Sequence, residues 1–315
     1  MEESLRINRR SFIKTSASAA VFALAANSPL SAFAKSEQVK IVILYTNDWH
    51  SHIEPFGKDD KQFAGLGGAA SRSALIKKIR GEEKNILLLD AGDIFQGTPY
   101  FNFFEGELEY KLMSEMGYDL ATLGNHDFDN GIEGIVNQLR YAKFEFVNCN
   151  YDFTNTLLSD KVKPYKIFKK SGIKIGVFGL GIELKGLVPD ELYGNIKYRD
   201  PVLSANQISE ILRMKEKCDL VICLSHLGYK YRNEKVSDIV LANQSKYIDL
   251  IIGGHTHTFL SNPDIRKNAL GKEVLITQVG WAGINLGKID YYFEPLKNKV
   301  PQATSAVMQI GGDRI

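Results

Sequence analysis

Short apolar segments recur along this chain and alternate with segments of helical periodicity. Val39–Tyr45, Ile86–Leu89 and Asp219–Leu224 are apolar at almost every position, and Gly68–Arg80 has apolar residues at helical spacing. A strand that is apolar throughout is covered on both faces, whereas a strand that borders water alternates apolar and polar residues. The pattern therefore predicts an α/β fold with a mixed sheet or two stacked sheets.

The rest of the chain supplies further elements of both kinds. Tyr165–Lys170 and Lys174–Leu180 are predicted to form a hairpin, because Ser171-Gly172 separates them. Other strands are predicted at Asp119–Leu123, Phe144–Val147, Tyr247–Ile252, Val274–Val279 and Gly287–Phe293, and other helices at Glu107–Met116, Ile132–Ala142, Ala205–Lys215 and Glu234–Leu241. The last predicted strand is followed by a polar segment that begins at Pro295.

The first 34 residues have the features of a twin-arginine export signal. Asn8–Lys14 contains the arginine pair, an apolar run follows from about Ala17 to Leu30, and Ala32–Ala34 fits the cleavage rule. The alternative is an uncleaved membrane anchor, but Asn27–Pro29 interrupts the run, which is shorter than the roughly 20 residues that span a bilayer. We therefore predict a signal at 1–34, export to the periplasm and no stable membrane anchor.

Residues 35–315 are predicted to form a single domain, because the segment after Pro295 has only about 20 residues and is too short for a second one. The 315-residue chain has 39 Lys+Arg and 37 Asp+Glu, which gives a net charge of +2. This balance argues against a protein that binds nucleic acid through a broad basic surface. Cys149, Cys218 and Cys223 lack metal-type spacing, so we expect buried free thiols.

Polar segments rich in metal-ligand residue types follow five of the predicted strands. Together they contain five of the six histidines in the chain. The segments are Asp48-Trp49-His50, Gly92-Asp93, Gly124-Asn125-His126-Asp127-Phe128-Asp129, Ser225-His226 and Gly253-Gly254-His255-Thr256-His257. Functional loops of α/β sheets gather at the carboxyl ends of the strands, so we expect these segments to converge on one site.

The residue types indicate a metal site of two ions. Carboxylate, carboxamide and imidazole groups without thiolate suit Zn²⁺, Mn²⁺, Co²⁺ or Fe better than Ca²⁺ or Mg²⁺ alone. The candidate ligands are Asp48, His50, Asp93, Asn125, His226, His255 and His257. This number exceeds the three or four protein ligands of a single zinc ion, so two divalent ions are predicted. Asp93 stands alone after its strand and is predicted to bridge them.

A pair of metal ions suits in-line displacement at phosphorus, since the ions neutralise phosphate oxygens and activate water. His126 directly follows Asn125, and both cannot easily reach the same ion. His126 is therefore predicted to donate a hydrogen bond or a proton to the phosphate or the leaving oxygen. Asp129 is predicted to hold that imidazole in the right tautomer, with Asp127 as the competing candidate. Helix capping is the alternative role for both aspartates.

The ordered set of segments resembles the calcineurin-like metallophosphoesterase superfamily. Within it, Thr46-Asn47-Asp48 and Gly124–Asp129 resemble the catalytic, N-terminal domain of bacterial 5′-nucleotidases. The similarity runs from about residue 40 to 290, and it implies a four-layer α/β/β/α sandwich with mixed sheets. It also implies a first metal site of Asp48, His50, Asp93 and His257, a second of Asp93, Asn125, His226 and His255, and a catalytic dyad of His126 and Asp129.

The resemblance implies an exported two-metal phosphohydrolase, with 5′-nucleotidase activity expected first. A 2′,3′-cyclic-nucleotide phosphodiesterase with 3′-nucleotidase activity and a nucleotide-sugar hydrolase are the alternatives within the enzyme class. Relatives of this type usually carry a C-terminal domain that grips the nucleoside, and we expect no such domain in residues 35–315. A weakly active metal-binding subunit that relies on a separate nucleoside-binding chain is therefore an alternative of another class.

The substrate-binding residues are not identified by the motifs. His52 is interpreted as a pocket-lining or surface histidine, and Trp281 as a core or pocket-wall residue. The aromatic cluster Tyr100–Phe104 follows the Asp93 loop and has three interpretations: a stacking surface for a base, a contact for a partner chain, or helix-packing core.

Overall fold

The computed structural model describes residues 38–294 and 301–312. The predicted export signal at 1–34 lies outside the described residues. The chain divides into two compact units, of which the larger comprises Lys40–Tyr291 with Gln302–Ile315 and the smaller Met1–Val39 with Tyr292–Pro301. All of the candidate site residues belong to the larger unit, and the single domain over 35–315 stays a prediction. None of the helices described is long and apolar enough to cross a membrane.

The strands form two large sheets and one small one. In chain order they are β1 (Val39–Thr46), β2 (Ile86–Asp90), β3 (Leu120–Ala121), β4 (Glu145–Val147), β5 (Tyr151–Asp152), β6 (Val162–Lys163), β7 (Tyr165–Lys170), β8 (Ile173–Gly181), β9 (Lys197–Tyr198), β10 (Leu220–His226), β11 (Leu250–Gly253), β12 (Asp264–Lys267), β13 (Glu273–Thr277), β14 (Asn285–Phe293) and β15 (Gln302–Gln309). The first sheet has the order β15-β14-β1-β2-β3-β4-β6, and the second has the order β12-β13-β11-β10-β8-β7. Strands β5 and β9 pair separately.

Both large sheets have a parallel centre. In the first, β1, β2, β3 and β4 pair parallel in succession. In the second, β8, β10, β11 and β13 do so, with β7 and β12 as antiparallel edge strands. The carboxyl ends of the parallel strands in each sheet therefore lie at one edge of that sheet.

The α-helices cover one face of each large sheet. They are α1 (Ala69–Glu82), α2 (Pro99–Phe104), α3 (Glu107–Met116), α4 (Gly131–Gln138), α5 (Asp190–Tyr193), α6 (Pro201–Glu210) and α7 (Asp238–Gln244). One core cluster joins α1, α3 and α4 to the first sheet through residues such as Ile76, Met113 and Leu44. Another joins α6 and α7 to the second sheet, with Ala205 and Leu241 among its members.

The other faces of the two sheets pack on each other. Tyr45 of β1 and Thr277 of β13 share a hydrogen bond of 2.5 Å between their hydroxyl groups. A Cβ at Gly179 of β8 would lie 2.0 Å from the carbonyl oxygen of Val147 of β4, so only glycine permits this approach. Strand β1 is covered on both faces, as its continuous apolar run predicts, and Ile43 has no exposed surface. The predicted four-layer α/β/β/α sandwich is thereby confirmed.

Some element boundaries differ from the predictions. Helix α6 begins at Pro201, earlier than the predicted 205, because the Asp200 side chain caps it by accepting from the Leu203 amide at 2.8 Å. It continues into a π-helical turn at Ile211–Lys215. Helix α7 begins at Asp238, later than the predicted 234, with Ser237 as its cap.

Strand β15 was not predicted, because it lies in the polar segment after Pro295. Most of its side chains are exposed, so it shows no clear alternation of apolar and polar residues. It is held as an edge strand beside β14. The cysteines match expectation: Cys218 and Cys223 are buried, Cys149 is partly buried, and all three are free thiols.

Candidate metal centre

The candidate ligands lie at the carboxyl ends of five parallel strands, His226 as the last residue of its strand and the others in the loops that follow. Strands β1, β2 and β3 of the first sheet lead to Asp48 and His50, to Asp93, and to Asn125 and His126. Strands β10 and β11 of the second sheet lead to His226 and to His255 and His257. The loops interlock through backbone hydrogen bonds, including those from the amides of Asp48 and His50 to the carbonyls of Gly92 and Asp93, at 2.9 and 3.0 Å.

One group of ligand atoms consists of Asp48, His50 and His257. These atoms all lie within 4.8 Å of one another. The Nε2 atoms of the two histidines are 2.9 Å apart, and Asp48 Oδ1 lies 3.4 Å from His257 Nε2. Asp48 and His50 are buried, whereas the His257 side chain is 38% exposed. The group thus has a buried side and a side open to solvent.

A second group consists of Asp93, His226 and His255, again within 4.8 Å of one another. Asp93 Oδ2 lies 3.0 Å from His226 Nε2, and Asn125 Oδ1 lies 2.8 Å from His255 Nδ1. The same Asp93 oxygen lies 3.8 Å from His50 Nε2 of the first group. Asp93 therefore stands between the two groups, where its sequence position predicts the bridging carboxylate.

The hydrogen bonds of two histidines show that these groups fit metal ions. His226 Nδ1 lies 2.7 Å from the Ala91 carbonyl oxygen, and His50 Nδ1 lies 3.0 Å from that of Gln96. A carbonyl accepts only, so each ring donates from Nδ1 and its Nε2 lone pair points into the centre. His226 Nε2 is buried and faces the Asp93 carboxylate at 3.0 Å, without the alignment of a hydrogen bond. Lone pairs and carboxylate oxygens so close together repel unless a cation lies between them, and the nitrogen and oxygen donors suit divalent transition metals.

Burial and neighbouring charges set the protonation of these imidazoles. Burial lowers the pKa of His50, and burial together with the charge of His226 lowers the pKa of His255 to about 4. Both rings therefore favour the neutral form that binds metals. Burial opposes the charged form of His226 as well, but the Asp93 and Asp48 carboxylates raise its pKa to about 10. A cation at this position competes with a proton.

Five of the candidate ligand residues have left-handed backbone conformations. The φ angles are 51° for Asp48, 52° for His50, 54° for Asp93, 71° for His255 and 51° for His257. Such conformations cost a non-glycine residue roughly 1–3 kcal/mol each and cluster at functional sites. Aspartate and histidine are among the residue types that adopt them most readily. The loops therefore hold conformations that serve the placement of side chains.

Close approach of the loops also requires glycine. A Cβ at Gly124 would lie 2.2 Å from Asp93 Oδ1, and one at Gly254 would lie 2.8 Å from His226 Nδ1. These glycines belong to the Gly-Asn-His and Gly-Gly-His segments of the sequence motifs. The motifs alone assign no role to them.

Asp127 positions the Asp93 loop and does not pair with His126. Its buried carboxylate accepts hydrogen bonds from the amides of Gly124 at 2.8 Å, Ile94 at 3.0 Å and Asp93 at 3.1 Å. The competing interpretation of Asp127 as the partner of His126 is therefore wrong. The sequence does not indicate the contact between Asp127 and the Asp93 loop, because the contact joins two loops that lie far apart in the chain, after β2 and after β3.

His126 lies at the edge of the centre with Asp129 as its partner. The distance between His126 Nδ1 and Asp129 Oδ2 is 2.9 Å, and the His126 side chain is 37% exposed. The hydrogen bond to Asp129 raises the pKa of His126, against the opposing effect of burial. Its ring centroid is 5.3 Å from that of His50. With Nδ1 bound to Asp129, Nε2 is the nitrogen left to face a substrate.

Trp281 holds the His257 ring by stacking. The two rings are parallel within 2°, with centroids 5.4 Å apart. Within the described part of the chain, His257 Nδ1 has no hydrogen bond of the kind that orients His50 and His226. Trp281 is therefore a pocket-wall residue, one of the two roles expected of it, and it replaces the missing hydrogen bond.

We expect Trp281→Leu to weaken metal retention at the first group by roughly 10-fold, the lower end of the effect of removing an orienting contact. Trp281→Phe preserves an aromatic face and serves as the matched control with a smaller loss. The measurement is the metal content that remains after a graded chelator challenge. Equal retention in the wild type and the leucine variant would contradict the role of the stack.

Comparison with known proteins agrees with this geometry. The family model described as calcineurin-like phosphoesterase matches residues 41–259. A 5′-nucleotidase of Vibrio cholerae is 34% identical over 307 residues, which cover 89% of this chain and 54% of that protein. The chain spans about half the length of the curated relatives it matches.

Two solved structures are also similar. The 5′-nucleotidase precursor from Thermus thermophilus has a TM-score of 0.77 at 30% identity, with 87% of this chain and 55% of that chain covered. The calcineurin-like phosphoesterase YfkN from Bacillus subtilis has a TM-score of 0.68 at 27% identity, and the match covers 87% of this chain and 91% of that one. From its fold, its strand-end ligand loops and these matches, the chain belongs to the calcineurin-like phosphoesterase family.

Proposed function

We propose that this protein is a metal-dependent phosphohydrolase that converts nucleoside 5′-monophosphates and water to nucleosides and phosphate. The observation that carries the proposal is the pair of ligand groups with Asp93 between them and the His126–Asp129 pair at their exposed edge. The similarity to proteins named 5′-nucleotidase supports the substrate class.

In this proposal the chain holds two divalent ions. Asp48, His50, Asp93 and His257 would bind the first, and Asp93, Asn125, His226 and His255 the second. When bound, the ions supply Lewis-acid stabilisation of the phosphate charge and activation of water. Mn²⁺, Zn²⁺, Co²⁺ and Fe all suit this donor set.

His126 acts on the leaving side of the reaction. Its raised pKa favours the imidazolium, which donates from Nε2 to the phosphate or to the 5′-oxygen as the P–O bond breaks. Asp129 fixes the tautomer through its hydrogen bond to Nδ1 and stabilises the positive charge. Because the side chain is partly exposed, a substrate at the centre can reach it.

The chain is proposed to act in the periplasm after twin-arginine export of the folded protein. The arginine pair, the apolar run and the small-residue cleavage site support this location.

We expect the double variant Arg9→Lys/Arg10→Lys to accumulate inside the cell, as measured by fractionation and immunoblotting. Periplasmic export of the double variant at the wild-type rate would overturn the proposed route.

The direct test is phosphate release by the purified chain, stripped of metal and reloaded with Mn²⁺, Co²⁺, Zn²⁺ or Mg²⁺. AMP, 3′-AMP, 2′,3′-cyclic AMP, UDP-glucose and p-nitrophenyl phosphate form the substrate panel. We expect AMP to be turned over best.

His126→Ala should lower kcat on AMP by roughly 10²- to 10⁴-fold, as the loss of a general acid does. The loss on p-nitrophenyl phosphate should be smaller, because its leaving group departs without a proton.

Asp129→Asn should fall between the wild type and His126→Ala. Asp160→Asn, which changes an exposed carboxylate, is the matched control and should keep full activity. Absence of phosphate release from every substrate with every metal would disprove the proposal. Release from p-nitrophenyl phosphate alone would indicate that a separate chain supplies nucleoside recognition.

A further inference from the structure

We propose that a groove beside the metal centre binds the base of the nucleotide substrate; this inference rests on the proposed function. The groove lies between the loop after β1 and helix α2, and we call it the Tyr100 groove. Its lining includes His52, Glu54, Pro55, Tyr100, Phe103 and Phe104. Its volume is about 360 Å³, within the range of small-molecule sites.

The groove adjoins the metal centre because its walls belong to the two loops that carry His50 and Asp93. Thr98, another lining residue, donates a 2.7 Å hydrogen bond from its hydroxyl to the Ser51 carbonyl, which joins the loops between the groove and the centre. A Cβ at Gly97 would lie 2.7 Å from the His50 carbonyl oxygen. In this proposal a nucleotide with its phosphate at the metal centre extends its sugar and base along these loops.

The walls of the groove are aromatic and exposed. The rings of Tyr100 and Phe104 are stacked within 20°, with centroids 6.4 Å apart. Phe103 is 80% exposed and Phe104 is 45% exposed. Exposed apolar side chains that cluster in one patch mark interaction sites, and a nucleobase stacks on such rings whatever its identity.

Glu54 is the one acidic side chain among the lining residues, and it places a negative charge in the groove. Glu54 accepts a 3.1 Å hydrogen bond from the Tyr100 hydroxyl. Its negative charge repels a phosphate group, while the carboxylate can accept from the amino group of a base. The charge therefore favours the orientation in which the base occupies the groove and the phosphate lies at the metal centre.

The test compares AMP with ribose 5-phosphate, which carries the same phosphate on the same sugar carbon but has no base. The variants are Phe103→Ser and Phe104→Ser, and Leu203→Ser is the matched control because it removes an apolar side chain that is 71% exposed on α6. We expect the two groove variants to raise KM for AMP by roughly 5- to 100-fold, the effect of losing one stacking ring. Ribose 5-phosphate kinetics should stay unchanged in every variant.

Unchanged KM for AMP in both groove variants would overturn the inference, and so would equal losses on the two substrates, which would indicate a structural effect. Hydrolysis of both substrates by such variants would leave the proposed function intact. Adenosine binding, followed by saturation-transfer NMR, tests the groove independently of turnover. Binding to the wild type that weakens in the groove variants supports the inference. A groove that seats another protein chain instead would bind no adenosine and would also overturn it.

Discussion

The position of the Asp93 carboxylate is the constraint on which the rest of the centre depends. One of its oxygens lies within 4 Å of the Nε2 atoms of both His226 and His50, so it lies between the two ligand groups. Its other oxygen accepts a 2.8 Å hydrogen bond from the His126 amide. A single side chain therefore links the two groups to the loop of the proposed catalytic histidine. Its negative charge offsets the positive charge that two metal ions would bring.

The fold supplies this arrangement by packing two mixed sheets, each with a parallel centre, face to face. Each sheet delivers its loops at the carboxyl ends of its strands, and the two sets of loops meet at one place. Asp127 ties the Asp93 loop to the Asn125 loop by accepting backbone hydrogen bonds from both. The strands that carry these loops are buried in the core, and such surroundings maintain the left-handed conformations of the ligand residues. The packed core of the sandwich therefore fixes the positions of the ligand side chains at its edge.

Much of this could be predicted from the sequence. The apolar strand runs predicted covered sheets, and polar residues at the strand ends selected the seven side chains that the structure brings together. These features are visible in the sequence because a buried strand and the loop at its end each leave a pattern in consecutive residues. The start of α6 was missed, although Asp200 followed by Pro201 is a typical helix cap and first turn.

Other features depend on contacts between distant segments and gave no local signal. Asp127 sits in the same motif as His126, yet its partners include amides of another loop. Trp281 stacks on His257 from a separate loop, and only the packed loops create that contact. Strand β15 is held at a sheet edge with mostly exposed side chains and no regular alternation of apolar and polar residues, so hydropathy does not reveal it.

The most direct test of the account is the metal stoichiometry of the purified chain. After stripping and reloading with Mn²⁺ or Zn²⁺, elemental analysis of wild type and Asp93→Asn would be compared at matched protein concentration, with circular dichroism to verify folding. The account predicts two ions per wild-type chain and a loss of ions from both groups in the variant, because the carboxylate is proposed to bridge the two ions and lies between the groups. A wild type that binds at most one ion, or a folded Asp93→Asn chain that keeps two with unchanged affinity, would contradict it.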